Sequence, residues 1–422
     1  MNKQSPTFCV MPHMGLAIQN EGDMCACNIN SQSYHLDGKR QTIDKITVDK
    51  IWDSSTRKEI ASVLDAGIRN PGCSACWKDE DVGITSSRQT LNQLFQHLTP
   101  SDTQPKILII KPGNSCNLAC RMCRPETSSS WYRDSLELAK LKNPSLTLHE
   151  HVKDFESIKN SFNADSPNMW PVLNEWYKDM EFIDIYGGEP WMIPGLWNSL
   201  RTAVDNGYAK NIALQLHTNG SWYNDDYMSI LSQFKSVRIG LSIDSHIQEE
   251  LEYIRHKAKF DQVIENSKKF IEFAANSKTV DCYVCVTITP INLWNLDEIA
   301  KNLISMLTTK DYIIQLGTTN FVYDPLHYDI RHLPKAIKQL ITDKFRGNTK
   351  LSPVVRYMNQ TIEGCVVQWP KFCLETEKLD KIRNQSFKET FPQWYSVLEP
   401  YWDYKRPHHD WYGSINQRKE IK

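Results

Sequence analysis

Three cysteines follow closely on an apolar run, Ile107-Leu108-Ile109-Ile110, at Cys116, Cys120 and Cys123. The run reads as a strand, so the C-x3-C-x2-C loop hangs from a strand's carboxyl end. A [4Fe–4S] cluster is ordinarily held by four thiolates, one to each iron. Three close thiolates hold three irons and leave the fourth open to a ligand. An open iron suits a cluster that performs chemistry better than one that only passes electrons. A zinc knot is the alternative that short thiolate spacing also permits. The x3 spacing after a strand favours iron only together with the motifs downstream.

Beyond this loop, strand-like and helix-like segments alternate. The strand patterns are Lys106–Ile110, Phe182–Tyr186, Ile212–His217, Val237–Ile243, Val280–Thr289 and Tyr312–Leu316. Helical patterns fall between them at Pro194–Asn206, Asp225–Phe234, Asp261–Ala275 and Leu296–Leu307. That alternation predicts an α/β fold with a parallel sheet and right-handed crossovers. Ligands in such folds bind at the carboxyl ends of the strands, and the polar motifs lie there. Gly187-Gly188-Glu189-Pro190 follows the second strand. Its glycines let backbone approach a ligand closely, and the carbonyls with Glu189 suit a bound ammonium group. Thr218-Asn219-Gly220 follows the third strand, where Asn219 is a turn cap or a ligand contact. On the fourth, Ser242 and Asp244 share a face by the strand's period of two. They read equally as ligand contacts and as polar residues ending a strand. Arg255 is either a solvated helix-end arginine or a bidentate partner for a carboxylate.

Together the cysteine loop and the glycine–glutamate–proline turn resemble the radical S-adenosylmethionine (SAM) superfamily. The resemblance implies a partial (β/α)6 barrel with a [4Fe–4S] cluster on Cys116, Cys120 and Cys123. It implies that SAM chelates the open iron and is held by Gly187, Gly188, Glu189 and Pro190, with Ser242, Asp244, Arg255 and Asn219 around it. In that family an electron cleaves SAM to methionine and a 5′-deoxyadenosyl radical, which abstracts a substrate hydrogen. Where family members carry an aromatic residue before the third cysteine, this chain has Met122, which packs softly against an adenine. No catalytic side chain is assigned from the sequence.

Five further cysteines precede the loop: Cys9, Cys25, Cys27, Cys73 and Cys76. The order C…G-x4-C…C-x2-C, counted through Gly22, resembles the twitch domain, the short relative of the SPASM domain. That resemblance implies an auxiliary [4Fe–4S] cluster on Cys9, Cys27, Cys73 and Cys76, with Cys25 as the alternative to Cys27. A four-thiolate zinc site fits the same cysteines. In the family this domain usually follows the barrel; here it precedes it. Cys282 and Cys285 fall on opposite faces of a strand and read as buried thiols.

The expected organisation is a small cysteine-rich domain over 1–100, the barrel over 101–330 with a helical insertion at about 125–180, and an aromatic-rich extension over 331–422. Helical patterns in the insertion are Pro125–Leu141, Leu148–Ser161 and Asn168–Met180. Lys+Arg number 49 against 50 Asp+Glu in 422 residues, so no basic excess marks a nucleic-acid partner. No apolar stretch reaches membrane length and no signal-peptide pattern opens the chain. Twelve cysteines without such a signal argue for metal or redox chemistry in the cytoplasm over disulfides. The resemblance implies a reductant partner such as flavodoxin or ferredoxin, and a peptide or protein side chain as substrate. Dehydrogenation or rearrangement of a small molecule is the alternative. Outside enzymes, an iron–sulfur electron-transfer or sensor protein shares the cysteines but does not use the glycine–glutamate–proline turn.

Overall fold

Short apolar runs linked by amphipathic helices bury their side chains when the strands lie parallel under the helices. The computed structural model shows this arrangement. It describes residues 3–405 apart from 37, 44, 47, 82, 84, 101–102, 154–168 and 363. Strands β1 (Gly15–Ile18) and β2 (Met24–Cys25) form an N-terminal hairpin, and β3 (His35–Leu36) pairs with β4 (Lys39–Arg40) as a separate ribbon. Then come β5 (Ile107–Ile110), β6 (Phe182–Ile185), β7 (Ala213–Thr218), β8 (Ser236–Ser242), β9 (Val280–Ile288) and β10 (Gln315–Phe321). The eight-stranded sheet has the order β10-β9-β8-β7-β6-β5-β1-β2, and every pairing except β1 with β2 is parallel.

One face of the sheet is apolar. The row Leu108, Ile183, Leu214, Val237 and Val280 is in register and wholly buried under the helices. Helix Phe260–Asn276 contributes Val263, Phe270 and Ile271 to that layer at helical spacing. Cys282 lies on this face and Cys285 on the other, both buried, paired with Ile239 and Ser242 respectively.

Two expectations shift. The sixth strand is Gln315–Phe321, not Tyr312–Leu316. Its Gly317-Thr318-Thr319-Asn320 stretch lacks an apolar signature, while Tyr312 sits before it and donates its hydroxyl to the Cys282 carbonyl at 2.8 Å. In the insertion, the first helix begins at Tyr132 after a 3-10 turn Ser129–Trp131, not at Pro125. The serines ahead of it serve the cysteine loop instead. The second helix covers Leu148–Val152 with Lys153 as its C-cap, and 154–161 of its expected span lie outside the described residues; the third is Trp170–Trp176.

The N-terminal segment joins the main sheet, since β1 pairs with β5 from Gly15↔Ile107 to Ile18↔Ile110. The C-terminal region centres on helix Cys365–Arg383. Trp394 donates its indole N–H to the Pro290 carbonyl at 2.7 Å and stacks on Trp294, so the aromatic extension packs beside the loop after β9. Trp411 and Tyr412 lie outside the described residues. Among the described residues, no helix is long and apolar enough to cross a membrane.

Candidate functional site

The loop after β5 carries its three cysteines on a backbone fixed from several directions. Ser128 Oγ donates to the Leu118 carbonyl at 2.6 Å, Ser130 Oγ to Cys116 at 2.9 Å and Trp131 Nε1 to Cys120 at 2.8 Å. The backbone N–H groups of Ala119 and Arg121 donate to His256 and Ile254.

Arg121, inside the motif, is fully buried. It lies 3.6 Å over the Tyr253 ring and pairs with Asp380 on the C-terminal helix. A charged residue between two motif cysteines was the signal for such an anchor, and the sequence reading missed it. The serine run after the motif was a second missed signal.

The three thiols are neighbours. Cys123 hydrogen-bonds Cys120, which holds the Cys120 thiol below its ordinary range, and the Arg255 guanidinium adds to this. Cys123 is correspondingly raised, and burial pushes Cys116 up to about 12. Among the described residues, no three His, Cys, Asp or Glu side chains close around one point as a finished metal shell. The donor set nonetheless fits a three-thiolate cluster: three adjacent sulfurs, a cation beside them and a fixed backbone.

The glycine turn after β6 locks onto this loop. Gly187 and Gly188 have φ of 92° and 61°, in the left-handed region that favours glycine. A Cβ on Gly188 would stand 2.7 Å from the Ser115 carbonyl oxygen. The next residue, Glu189, donates its N–H to that same oxygen at 2.7 Å. Pro190 opens a 3-10 turn and accepts the Trp197 indole N–H at 2.9 Å.

Glu189 is buried. Its Oε1 accepts from Thr218 Oγ1 at 2.8 Å and from the Trp191 N–H at 3.3 Å; Oε2 accepts from the Asn219 N–H at 2.8 Å. A carboxylate has about four lone-pair positions, so room for one further donor remains. Burial raises its pKa to about 7 against the pull of these bonds. Asn219 Nδ2 in turn donates to Asn117 Oδ1 at 3.0 Å and approaches Cys116 Sγ at 3.8 Å. Three strand ends thus converge through Ser115, Glu189 and Asn219. Thr218 belongs to this unit and was not singled out from the sequence.

Arg255 and Asp244 are buried together. Arg255 Nε lies 2.8 Å from Asp244 Oδ2, an ion pair without the alignment of a directed hydrogen bond. Asp244 Oδ1 accepts the Thr287 N–H at 2.7 Å, and Arg255 Nη1 is 3.9 Å from Cys120 Sγ. Arg255 is therefore neither solvated nor at a free helix end. Ser242, at the end of β8, is partly buried beside Cys285.

The N-terminal cysteines gather separately. Cys9 lies within electrostatic reach of Cys73 and Cys76, and Cys27 of Cys9 and Cys73. Burial pushes Cys9 up to about 12 and Cys76 to about 11. Cys73 ends the turn Pro71–Cys73 and Cys76 sits on helix Ser74–Asp81, while Cys9 and Cys27 flank the β1–β2 hairpin. Asn30 Nδ2 donates to Cys73 Sγ at 3.2 Å. Cys25 also lies within electrostatic reach of Cys27, and its thiol is hydrogen-bonded: Gln19 Nε2 donates to its sulfur at 3.3 Å, and it reaches the Cys27 carbonyl at 3.1 Å.

The family model described as Radical SAM superfamily matches residues 110–303, from the end of β5 to the helix before β10. The matched span is a little under half of the chain and contains the cysteine loop, the glycine turn and the Asp244–Arg255 pair. Among solved structures, the chain is similar to native anSMEcpe with bound AdoMet, at 17% identity and a TM-score of 0.36 over 67% of this chain and 62% of that one. It is also similar to Streptococcus suis SuiB bound to S-adenosylmethionine, at 15% identity and a TM-score of 0.34 over 79% and 69% of the two chains. The match thus spans about three fifths of the length of anSMEcpe. No curated protein matches the chain.

Proposed function

We propose that this protein is a radical SAM enzyme that abstracts hydrogen from a peptide or protein side chain. The observation that carries the reading is the junction of three strand ends. Glu189 binds Ser115 of the cysteine loop through its N–H and the Thr218-Asn219 turn through its carboxylate. This junction lies inside the region that matches the family.

In this reading Cys116, Cys120 and Cys123 hold a [4Fe–4S] cluster. Gly187 to Pro190 hold the SAM ammonium, with Ser242 and Asn219 beside them. When bound, a cluster reduced by an external electron carrier would pass one electron to SAM, which would divide into methionine and a 5′-deoxyadenosyl radical able to take a substrate hydrogen. The chain's own part is to hold and orient. Gly188 keeps backbone carbonyls within reach of an ammonium, and Glu189 offers its remaining acceptor position. Asp244 holds Arg255 against Cys120, where its positive charge favours ionised sulfur. Asp244 is thus a positioning residue, and Arg255 reaches a SAM carboxylate only through whatever freedom that ion pair leaves. Cys9, Cys27, Cys73 and Cys76 hold an auxiliary [4Fe–4S] cluster, and a flavodoxin- or ferredoxin-like carrier supplies electrons in the cytoplasm.

Glu189→Gln tests the central contact. It keeps the shape of the side chain and removes its charge. SAM affinity of the reconstituted protein should fall by about 1.5–3 kcal/mol, the value of a hydrogen bond to a charged group. Equilibrium dialysis with labelled SAM reads this directly. Unchanged affinity would remove Glu189 from the site.

A further inference from the structure

A parallel sheet normally buries apolar side chains on both faces. Here the face away from the helices breaks that rule. One register row runs Ile109, Asp184, Gln215, Arg238 and Asp281. The next row toward the strand ends carries Tyr186, His217, Gly240 and Tyr283, with Tyr186 one residue beyond the last β6–β7 pair. The His217 ring meets Tyr186 edge-on at 6.4 Å and Tyr283 at 6.1 Å. Gly240 makes room for this tier: a Cβ there would stand 2.7 Å from His217 Nδ1 and 3.0 Å from the Tyr283 hydroxyl.

Asp184 sits in the row beneath these rings. Its Oδ1 is buried and has no hydrogen-bond partner among the described residues. Burial alone raises its carboxyl, to about 7. The cations nearby are committed. Arg238 lies 3.6 Å from Asp281 and 4.6 Å over the Tyr283 ring. Lys111 stands 5.3 Å over the Tyr186 ring. His217 is held down at about 4 by burial and by Arg238, so it stays neutral and does not compete for the carboxylate. A buried carboxylate oxygen without a partner is costly to keep, and the Tyr186 and Tyr283 side chains stand in the next row of the same face.

We propose that Asp184 anchors the substrate by binding an organic cation, a guanidinium or ammonium group, flanked by Tyr186 and Tyr283. This deepens the enzymatic reading and rests on it for where the reaction occurs. At about 3.3 Å per strand residue, Asp184 lies ~10 Å from the glycine turn along β6. A long basic side chain gripped at its tip presents its backbone end toward that turn.

Reconstituted full-length protein is titrated with three probes and followed by intrinsic fluorescence: acetyl-Ala-Arg-Ala-amide, its citrulline counterpart and free agmatine. The arginine peptide should bind at least tenfold more tightly than the neutral citrulline peptide. Asp184→Asn should abolish that preference and Asp184→Glu should restore it, a rescue that general destabilisation would not give. Tighter binding of the peptide than of agmatine assigns the cation to a peptide side chain; the reverse assigns it to a free amine. Equal affinity for the arginine and citrulline probes overturns the inference while leaving SAM cleavage untouched. Asp184-dependent selectivity in a protein that never cleaves SAM overturns the enzymatic reading alone.

Discussion

Glycine 188 shows how much a single position can demand. Its φ of 61°, and the mere 2.7 Å that would separate an added Cβ from the Ser115 carbonyl oxygen, leave no space for a side chain. Gly188→Ala should cost about 1–3 kcal/mol through backbone strain, read as a lower urea midpoint, and should weaken SAM binding by moving Ser115. Asp184 makes a second prediction at this scale. Its carboxyl, raised to about 7 by burial, binds protons in the folded state that the unfolded chain has released. Its contribution is complete below pH ~4 and lost as pH rises toward ~7. Asp184→Asn should flatten that part of the stability profile and be the more stable form at pH 8. Parallel pH dependences in urea titrations would show that Asp184 is not buried as described.

Among the elements, the helix Cys365–Arg383 does more than its distance in sequence suggests. Asp380 pairs with Arg121 between Cys120 and Cys123, accepts the Tyr253 hydroxyl at 2.8 Å and caps the Phe387 N–H at 2.7 Å. Arg383, further along, pairs with Asp134 at 2.8 Å and lies 4.8 Å over Trp131. Asp380→Ala leaves the Arg121 charge buried and unpaired, which should cost about 3–5 kcal/mol. The melting temperature and the iron retained after desalting should fall together. None of this was legible in the sequence, because the ion pair joins residues far apart in the chain. Five of the six barrel-like strands were legible because β5 is a continuous apolar run and β6 to β9 alternate apolar with other residues. The sixth was displaced because Gly317 to Asn320 carry no such run. The motif cysteines and glycines were readable from spacing, since tight turns at strand ends admit few residue types. The direction of the Glu189 carboxylate and the burial of Arg255 against Asp244 depend on tertiary packing and were not.

Taken whole, the molecule brings two groups of thiols to one sheet, the first around the β1–β2 hairpin and the second after β5. If both hold four-iron clusters, reconstituted protein should carry about eight irons, and removing Cys116, Cys120 and Cys123 should leave about four. Cys27→Ser should lower iron content and thermal stability together, as linked folding and metal binding require. Cys25→Ser should leave the iron content unchanged, since its thiol is bonded to Gln19 and the Cys27 carbonyl. One zinc surviving reconstitution would make the N-terminal site structural. The central claim, reductive cleavage of SAM at the Cys116–Cys123 loop, is tested most directly by product analysis. Anaerobic protein given dithionite and SAM should release 5′-deoxyadenosine and methionine, and Cys120→Ala should abolish both. Intact SAM after prolonged reduction of protein shown to carry its full iron would contradict the account.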